Sequence, residues 1–296
     1  MHRSRLQHCE PPQAGTPPSA RLGHSQLVAA GYLYVFGGRQ PTEPGVVYDG
    51  NEVITSLNDT HRLELATGRW EELACTGDIP SGRSYCAMAL SPGSPSTLYL
   101  FGGMIDSARH NDLYTFDTVT STYTRLVDGP MEGRGGAGLC TAKGSLWVLA
   151  GFCGRPVGDV WEYSIGGEAW VEHTEMQLAV PRSIFACFSG NGTLTVFGGE
   201  LTAAAGHAEA GVYTNEVLSI DISHGAGACG GAVTVVPVGG AEPAARGWTS
   251  GCRVEYRDRT SSSASKRTGF AVFGGIGPGR KGGAPGVRLG DLVILE

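Results

Sequence analysis

One pattern occurs five times along the chain, and this repetition constrains the fold more than any other feature of the sequence. Each copy contains an apolar stretch that ends in two small residues. The five stretches are LYVFGG, LYLFGG, LWVLAG, LTVFGG and FAVFGG, which end at Gly38, Gly103, Gly151, Gly199 and Gly275. Regular self-similarity of this kind is typical of proteins that stack or ring one small structural unit. The sequence therefore predicts a single repeat-built domain that spans residues 1–296.

Each doubled small residue stands between a preceding arginine and a following acidic stretch. The arginines are Arg21, Arg83, Arg134, Arg182 and Arg246. The acidic stretches are NDTHRLEL, NDLYTFD, GDVWEYS, NEVLSID and GDLVILE. An aromatic residue follows the acidic stretch in the first three copies, at Trp70, Tyr123 and Trp170. The alternation of apolar and polar residues between Gly, Asn and Asp turns predicts four antiparallel strands in each copy.

The glycine content agrees with this interpretation. Glycine makes up 47 of the 296 residues, which is about twice its ordinary share. Glycine that is spread along the chain without a triplet period indicates many turns, and hence many short strands. One four-stranded sheet cannot bury both of its faces alone, so the copies are expected to pack face to face around an axis. We therefore expect an all-β protein, a β-propeller of five four-stranded blades.

The recurring order of arginine, doubled glycine, acidic residue and spaced aromatic resembles the kelch repeat over the whole chain. The resemblance implies a kelch-type β-propeller with units at roughly residues 17–75, 76–128, 129–176, 177–238 and 239–296. The last unit provides three strands up to Glu296. We therefore expect residues 3–9, around Leu6, to supply the outer strand of that blade and to close the ring. The alternative is a disordered N-terminus.

The charge and hydropathy of the chain argue against several kinds of partner. The formal net charge is −6 and only three of the 22 basic residues are lysines, so the chain lacks the positive charge on which nucleic-acid binding depends. No apolar run is long enough to span a bilayer. The N-terminal residues lack the apolar centre of a secretory signal, which predicts a cytoplasmic location. The eight cysteines form no C-x-x-C pair and are expected to be reduced thiols.

The five arginines form the first candidate binding site. In an antiparallel blade, the strand that the arginine opens and the loop after the doubled glycine meet on the same face of the propeller. Because the first strands of kelch blades line the channel, the arginines are expected to ring its mouth. Guanidinium groups bind carboxylate, sulfate or phosphate through paired hydrogen bonds. The alternative is that each arginine pairs with an acidic residue of its own or the next blade and serves the fold alone.

The loop after the fourth doubled glycine contains the second candidate site. Glu200 and His207 lie in this alanine-rich loop, and Glu209 is a further acidic residue beside them. An ionised carboxylate and a neutral imidazole suit Fe(II), Mn or Zn, although a centre of this type uses three protein ligands. The alternative is a solvent-exposed glutamate and histidine that bind no metal.

The same loop carries a narrower resemblance. Together with ARGWTS and GRGGAGLCTAKGSLWVLAGF, it resembles the plant specifier proteins of the nitrile-specifier, epithiospecifier and thiocyanate-forming group. In that family an iron(II) site steers the breakdown of the aglucone that myrosinase releases from a glucosinolate. The resemblance implies that Glu200 and His207 hold Fe2+ and that Trp248 faces the substrate. The aspartate of the family's ligand motif is missing, because LTAAAG stands between the two ligands.

The sequence leaves two functions open. The first is a specifier-like function that binds a small, anionic, sulfur-containing molecule on the arginine face, with Fe2+ assisting a lyase or rearrangement reaction of the nitrile-forming type. In this function the five arginines hold the anionic group, and Trp248 packs against the apolar or sulfur-bearing tail. The second is a non-catalytic module whose loops bind a partner protein. Because propellers serve both uses, the fold does not decide between them.

Overall fold

The protein is built almost entirely from β-strands arranged in five blades around a central channel. The computed structural model describes residues 14–43, 53–202, 211–223, 231–238, 242–257, 266–278 and 287–295. Within these ranges there are 25 strands, and the one helical element is the 3-10 turn Thr174–Met176. The blades follow one another in chain order. The prediction of an all-β, kelch-type propeller with five blades is confirmed.

Blades 1 and 2 are five-stranded sheets. Blade 1 contains β1 (Ala14–Gly15), β2 (Ser25–Ala29), β3 (Tyr32–Pro41), β4 (Ile54–Glu64) and β5 (Arg69–Glu72). Blade 2 contains β6 (Thr76–Gly77), β7 (Ala87–Leu90), β8 (Thr97–Ile105), β9 (Ala108–Asp117) and β10 (Thr122–Arg125). In both, the last four strands form the predicted antiparallel meander. The short first strand pairs in parallel with the outer strand, so the residues before the arginine extend the blade that the arginine opens.

Blades 3 and 4 are four-stranded antiparallel sheets. Blade 3 contains β11 (Gly138–Ala142), β12 (Ser145–Phe152), β13 (Pro156–Ser164) and β14 (Ala169–Glu172). Blade 4 contains β15 (Ala186–Gly190), β16 (Thr193–Phe197), then the separate hairpin of β17 (Glu200–Thr202) and β18 (Val212–Tyr213), and finally β19 (Val217–Asp221) and β20 (Val233–Val236). The hairpin continues the second and third strands of blade 4 toward one face of the propeller.

Blade 5 has three paired strands within the described residues. These are β21 (Ser250–Arg257), β22 (Lys266–Phe273) and β25 (Leu292–Leu295), with a hairpin of β23 (Ile276–Gly277) and β24 (Val287–Arg288) between the last two. Residues 3–9, which we expect to supply its outer strand, lie outside the described residues. The prediction that they close the ring therefore stays a prediction.

The hydrophobic core lies in the seams between blades. The residue just before each doubled small pair points at the next blade, and in blades 1 to 4 it is at most 1% exposed. These residues are Phe36, Phe101, Leu149 and Phe197. Phe36 of blade 1, for example, packs in one cluster with Leu98 and Leu100 of blade 2. Burying a side chain of this size stabilises the fold by about 1.5–3 kcal/mol, so each seam contributes a large part of the stability.

The doubled small residue lets one blade approach the next closely. Gly37 has a φ of +61°, and a Cβ atom there would lie 2.7 Å from the Arg83 carbonyl oxygen of blade 2. The N–H of the second glycine donates to that same carbonyl, from Gly38 to Arg83 at 2.8 Å. The next three seams repeat this hydrogen bond, from Gly103 to Arg134, Gly151 to Arg182 and Gly199 to Arg246 at 2.8, 3.0 and 2.8 Å.

Candidate functional site

Each strand-opening arginine forms an ion pair with the acidic residue of its own blade. The pairs are Arg21–Asp59, Arg83–Asp112, Arg134–Asp159, Arg182–Glu216 and Arg246–Asp291. In blade 3, Arg134 Nη1 lies 2.5 Å from Asp159 Oδ1, and Nη2 lies 2.9 Å from Oδ2. The five arginine side chains are at most 4% exposed. The guanidinium groups therefore lie inside the blades rather than at the surface.

Backbone carbonyls accept further hydrogen bonds from the same arginines. Arg134 Nε donates to the Glu132 carbonyl at 3.0 Å, and its Nη1 also donates to the Ala150 carbonyl at 3.1 Å. The other four arginines repeat both contacts, with the carbonyl two residues earlier and with the first small residue of the doubled pair. This is the geometry of the alternative in which the arginines serve the fold. Binding of an anion by these residues requires their present carboxylate partners to be displaced.

Three of the ion pairs, those of Asp59, Asp159 and Asp291, lower the pKa of their carboxyl group. Burial alone would raise the pKa of Asp159, but the hydrogen bonds and charge of Arg134, with the Trp161 indole N–H, hold it below its ordinary value of 3.8. Burial would likewise raise the pKa of Asp59, but the hydrogen bonds and charges of Arg21 and His61 lower it. These carboxylates therefore stay ionised at neutral pH, as the pairing requires.

The residue two positions after each arginine takes part in a backbone hydrogen bond with a neighbouring blade. We call these five residues the inner ring: Gly23, Tyr85, Gly136, Ile184 and Trp248. Backbone hydrogen bonds join them from blade to blade, each N–H donating to the carbonyl of the previous member. Four such bonds are present, from Tyr85 to Gly23, Gly136 to Tyr85, Ile184 to Gly136 and Trp248 to Ile184, at 2.6 to 2.9 Å. The inner ring therefore lines the face at which the first strands of the blades begin, which we call the mouth of the channel.

Two aromatic side chains of the inner ring meet across this mouth. Tyr85 belongs to blade 2 and Trp248 to blade 5, yet their ring centroids lie 5.4 Å apart with the planes at 84°. Trp248 remains 38% exposed. Sequence analysis placed Trp248 on this face but missed Tyr85 and Ile184, although their constant spacing from Arg83 and Arg182 was a usable signal.

All five members of the inner ring have a positive φ, between +53° and +65°. Glycine adopts this region freely, as Gly23 and Gly136 do. Ile184, Tyr85 and Trp248 carry side chains for which it is unfavourable by about 1–2 kcal/mol each. The blade-to-blade hydrogen bonds hold the backbone in this shape. Such strain collects at functional sites, where a side chain has to point in a fixed direction.

A second circle of residues, the outer ring, follows the doubled small pairs directly. Its members are Arg39, Met104, Phe152, Glu200 and Ile276, and each forms a backbone bridge to the residue just after its own blade's arginine. Arg39 extends over the Tyr85 ring, with the guanidinium carbon 5.0 Å from the centroid, and donates from Nη2 to the Tyr85 hydroxyl at 2.8 Å. The mouth thus combines aromatic, apolar and charged side chains of both signs.

Glu200, one of the two predicted metal ligands, lies in this outer ring. It is 7% exposed and adjoins Tyr213. Burial first, and then the Glu200 charge, raise the pKa of Tyr213, whose hydroxyl is hydrogen-bonded to Trp248. His207 and Glu209 lie outside the described residues. Within the described ranges no three His, Cys, Asp or Glu side chains are grouped closely enough to hold a metal ion.

Two surface depressions lie away from the mouth. One of about 210 Å³ is lined by Tyr32, Arg62, Glu64, Arg69 and Glu71 on the outer strands of blade 1. The other, of about 200 Å³, lies between turns of blades 3 and 4. Neither contains a residue of the inner or outer ring. In the part of the chain that the structure describes, no helix is long and apolar enough to cross a membrane.

The repeated arginine–acid pair, the doubled glycine and the blade meander together define a kelch β-propeller. The chain belongs to the family described as the KLHDC2/KLHL20/DRC7 Kelch-repeats domain, whose model matches residues 1–199. The family membership agrees with the kelch resemblance that the sequence motifs carry.

Several named proteins are similar to this chain. Kelch domain-containing protein 2 of Bos taurus is 27% identical over 214 residues, which cover 72% of this chain and 38% of that protein. Kelch domain-containing protein 3 of Rattus norvegicus is 27% identical over 204 residues, or 64% of this chain and 50% of that protein. Acyl-CoA-binding domain-containing protein 5 of Arabidopsis thaliana is 28% identical over 221 residues, which cover 71% of this chain and 30% of that protein. The matches thus span 30% to 50% of these relatives' own length.

Proposed function

We propose that the chain is a non-catalytic interaction module that binds a partner protein at the channel mouth. The observation that carries this proposal is the composition of the mouth, where Tyr85, Trp248 and Arg39 lie together while the five strand-opening arginines are paired inside the blades. The two surface depressions lie elsewhere. The similarity to kelch domain-containing proteins supports a role in protein interaction.

The mouth has the properties of an interaction hot spot. Trp, Tyr and Arg are the residue types that most often dominate the energy of protein interfaces. Here the Trp248 side chain contacts the Tyr85 ring and is hydrogen-bonded to the Tyr213 hydroxyl, and the backbone N–H of Trp248 donates to the Ile184 carbonyl. A side chain that is already ordered loses little entropy when a partner binds. Arg39 adds a guanidinium group, which contacts the Tyr85 ring and donates to the Tyr85 hydroxyl.

Affinity capture with matched variants tests this proposal. The immobilised wild-type chain, Trp248→Ala, Tyr85→Ala and the control Trp70→Ala are exposed to the same cell lysate, and retained proteins are quantified. Trp70 lies on the outer strand β5, far from the mouth. We expect a set of proteins that the wild type and Trp70→Ala retain, and that both mouth variants lose by about tenfold or more, as for a hot spot above 1.4 kcal/mol. Equal retention by all four proteins would contradict the proposal.

The specifier-like function is a second candidate, favoured by the position of Glu200 near Trp248. A Cβ atom on Gly247, the residue before Trp248, would lie 3.3 Å from the Glu200 backbone nitrogen and 2.9 Å from the Tyr213 ring. In this function Trp248 packs against the tail of a small, anionic, sulfur-containing molecule, and Glu200 and His207 hold Fe2+. The described residues provide one carboxylate ligand, which does not meet the three-ligand requirement of such a centre.

Anaerobic calorimetry with Fe(II) tests this second candidate. Saturable one-to-one binding by the wild type, abolished by both Glu200→Ala and His207→Ala, is the result expected from a specifier-like site. Binding that neither substitution changes, or no binding, would remove the iron-assisted function. Because the interaction module needs no metal, its own experiment is unaffected by either result.

A further inference from the structure

Two cysteines meet in the seam between blades 3 and 4. Cys140 lies on β11 and Cys187 on β15, the first strands of these two blades. Their thiols are hydrogen-bonded to each other, and both side chains belong to the hydrophobic cluster that fills the seam. Cys187 Sγ also donates to the Leu139 carbonyl oxygen at 3.7 Å. The sulfur atom of blade 4 is thus held directly against the backbone of blade 3.

The two positions that these cysteines occupy face each other in the other blades as well. Cys140 stands six residues after Arg134, and Cys187 stands five residues after Arg182. The residues at the same two offsets meet across the neighbouring seams, and they are Leu27 and Met88, Ala89 and Leu139, and Phe188 and Gly251. Apolar residues therefore suffice to fill this level of a seam. A pair of thiols adds a chemical property that the packing does not require.

A glycine leaves the space that the sulfur pair needs. Gly138 lies two residues before Cys140 on the same side of β11, and a Cβ atom there would lie 2.9 Å from Cys187 Sγ. Any larger residue at this position would press against that sulfur atom. A disulfide requires the two backbones to lie close together with their side chains directed at each other. The contact between the two thiols meets this condition.

The two thiols differ in exposure and in acidity. Cys140 is 7% exposed, whereas Cys187 is only partly buried. The hydrogen bond with Cys187, and then burial, raise the pKa of Cys140. The same hydrogen bond lowers the pKa of Cys187 against the opposing effect of burial. Because the thiolate is the form that attacks an oxidant, Cys187 is the better nucleophile of the pair.

We propose that Cys140 and Cys187 form a hydroperoxide-reactive pair whose oxidation joins blades 3 and 4 through a disulfide. The Cys187 sulfur attacks one peroxide oxygen and becomes a sulfenic acid, while the other oxygen leaves as water or as an alcohol. The Cys140 sulfur then attacks the sulfenic sulfur, so that the S–S bond forms and a further water leaves. The peroxide accepts the two electrons, and its two oxygens carry away the two thiol protons. This proposal does not depend on the function proposed for the channel mouth.

The disulfide would strengthen the seam close to the channel mouth. The inner-ring residues Gly136 and Ile184 precede the two cysteines by a few residues, and the Ile184 N–H donates to the Gly136 carbonyl at 2.8 Å. Oxidation therefore joins the two blades covalently beside a place where backbone hydrogen bonding already joins them. The cross-link closes the chain between residues 140 and 187, and it stabilises the fold mainly by restricting the unfolded chain.

Treatment of the folded, reduced chain with hydrogen peroxide tests the proposal. Remaining thiols are alkylated, the protein is digested, and mass spectrometry identifies the linked peptides. We expect the Cys140 and Cys187 peptides to be joined in the wild type and in the control Cys153→Ser. Cys153 is also partly buried, but its Sγ lies beside the Glu132 carboxylate at 3.6 Å rather than beside a second thiol. Cys140→Ser and Cys187→Ser should lack the linked peptides.

The melting temperature measures the effect of the cross-link on the fold. Oxidation should raise it by at least about 4 °C in the wild type and in Cys153→Ser, and a reducing agent should reverse the rise. Neither Cys140→Ser nor Cys187→Ser should show this rise. Cys140→Ala and Cys187→Ala repeat the comparison without a buried hydroxyl, so that a folding defect of one serine variant does not decide the result.

Trapping of the sulfenic acid with a dimedone probe tests the order of attack. Cys140→Ser keeps the nucleophile without its partner, and we expect at least about tenfold more labelling of Cys187 in it than of Cys140 in Cys187→Ser. Equal labelling would overturn the assignment of Cys187 as the attacking sulfur. Absence of the linked peptides, their formation only in urea, or oxidation without a rise in melting temperature would overturn the proposed cross-link.

Discussion

At the scale of single residues, the arginine–acid pair is the constant feature of every blade. The guanidinium group is held by a carboxylate and by two backbone carbonyls, which fixes the start of the first strand against the doubled small residue of the same blade. A buried ion pair adds little net stability over an apolar contact, but removal of one partner leaves an uncompensated charge. The pair therefore specifies the shape of the blade, and loss of either partner destabilises the folded state.

Substitution of Arg134 by alanine should be strongly destabilising. The change leaves the Asp159 carboxylate without its bidentate partner and the Ala150 carbonyl without a donor, for a loss of about 3–5 kcal/mol. Urea unfolding measures this loss. The control is Arg125→Ala, which removes an exposed pair with Asp128 and should lower the free energy of unfolding by less than about 1 kcal/mol. Equal losses in the two variants would contradict a structural role for the buried pair.

The same carboxylates predict how stability depends on pH. The folded-state pKa of Asp159 lies below its ordinary value of 3.8. Its contribution is therefore fully present above that value and is lost as the pH falls through the folded-state pKa. We expect the free energy of unfolding of the wild type to decline below about pH 4, and Asp159→Asn to decline less over the same range. Urea unfolding at several pH values measures both, and parallel curves would refute the assignment.

At the scale of elements, the doubled small residue connects each blade to the next. It bends the second strand and brings its N–H to the next arginine carbonyl, and in blades 1, 2 and 4 a Cβ atom at its first position would lie within 2.7 Å of that carbonyl oxygen. Blade 3 carries Ala150 there, with a φ of +50°. One seam thus accommodates an alanine, although the left-handed backbone conformation is energetically unfavourable for that residue.

Alanine substitution at two equivalent glycines should test whether blade 5 is packed against blade 1 as closely as blade 4 is packed against blade 5. A Cβ atom on Gly198 would lie 2.5 Å from the Arg246 carbonyl oxygen, whereas one on Gly274 would lie 3.3 Å from the Leu289 carbonyl oxygen of its own blade. Gly198 and Gly274 have φ values of +71° and +67°, so the backbone strain of about 1–2 kcal/mol is common to both. Gly198→Ala additionally forces a Cβ against the arginine carbonyl of blade 5, and it should lose at least about 1 kcal/mol more than Gly274→Ala. Chemical denaturation of the two variants provides the comparison. The opposite order would mean that Gly274 also faces a neighbouring blade.

The edge strands show where element prediction fell short. Sequence periodicity predicted four strands in each unit, and blades 1 and 2 contain a fifth, β1 and β6. Each is two residues long and carries no alternating pattern, so periodicity could not reveal it. It exists because the chain must pass the outer strand on its way to the arginine, and the parallel pairing satisfies backbone groups there.

At the scale of the whole molecule, stability is distributed over seams rather than over one central core. Blades 2, 3 and 4 are each packed on both sides, whereas the described face of blade 5 toward blade 1 is exposed. In a repeat architecture each unit is stabilised mainly by its neighbours. Blade 5 is therefore the unit with the least support.

Amide hydrogen exchange should reveal this difference between blades. We expect amides of β22 in blade 5 to exchange at least about tenfold faster than those of β12 in blade 3, because local opening exposes less buried surface. Mass spectrometry of peptides from the two strands measures the rates. Equal protection of both strands would contradict the conclusion that blade 5 has the least support.

The sequence alone determined the features that repeat. Five doubled small residues, five arginines and five acidic stretches in fixed order specified the all-β kelch architecture and the number of blades, because each motif serves a contact inside one blade or with the next. The position of Glu200 just after the fourth doubled glycine also placed it on the loop face, and the resemblance to the specifier proteins placed Trp248 there. Local patterns suffice for these points, since their partners occur at constant offsets along the chain.

The contacts that depend on how the blades are arranged around the axis could be determined only from the tertiary structure. It paired the arginines with their own carboxylates, although the sequence was compatible with an anion site. It brought Tyr85 and Trp248 together across the channel, from blades that are not neighbours in the chain. It also left Phe273 exposed, although its sequence context matches that of the buried Phe36. The burial of a side chain at a seam depends on whether another blade packs against it, and no local sequence pattern contains that information.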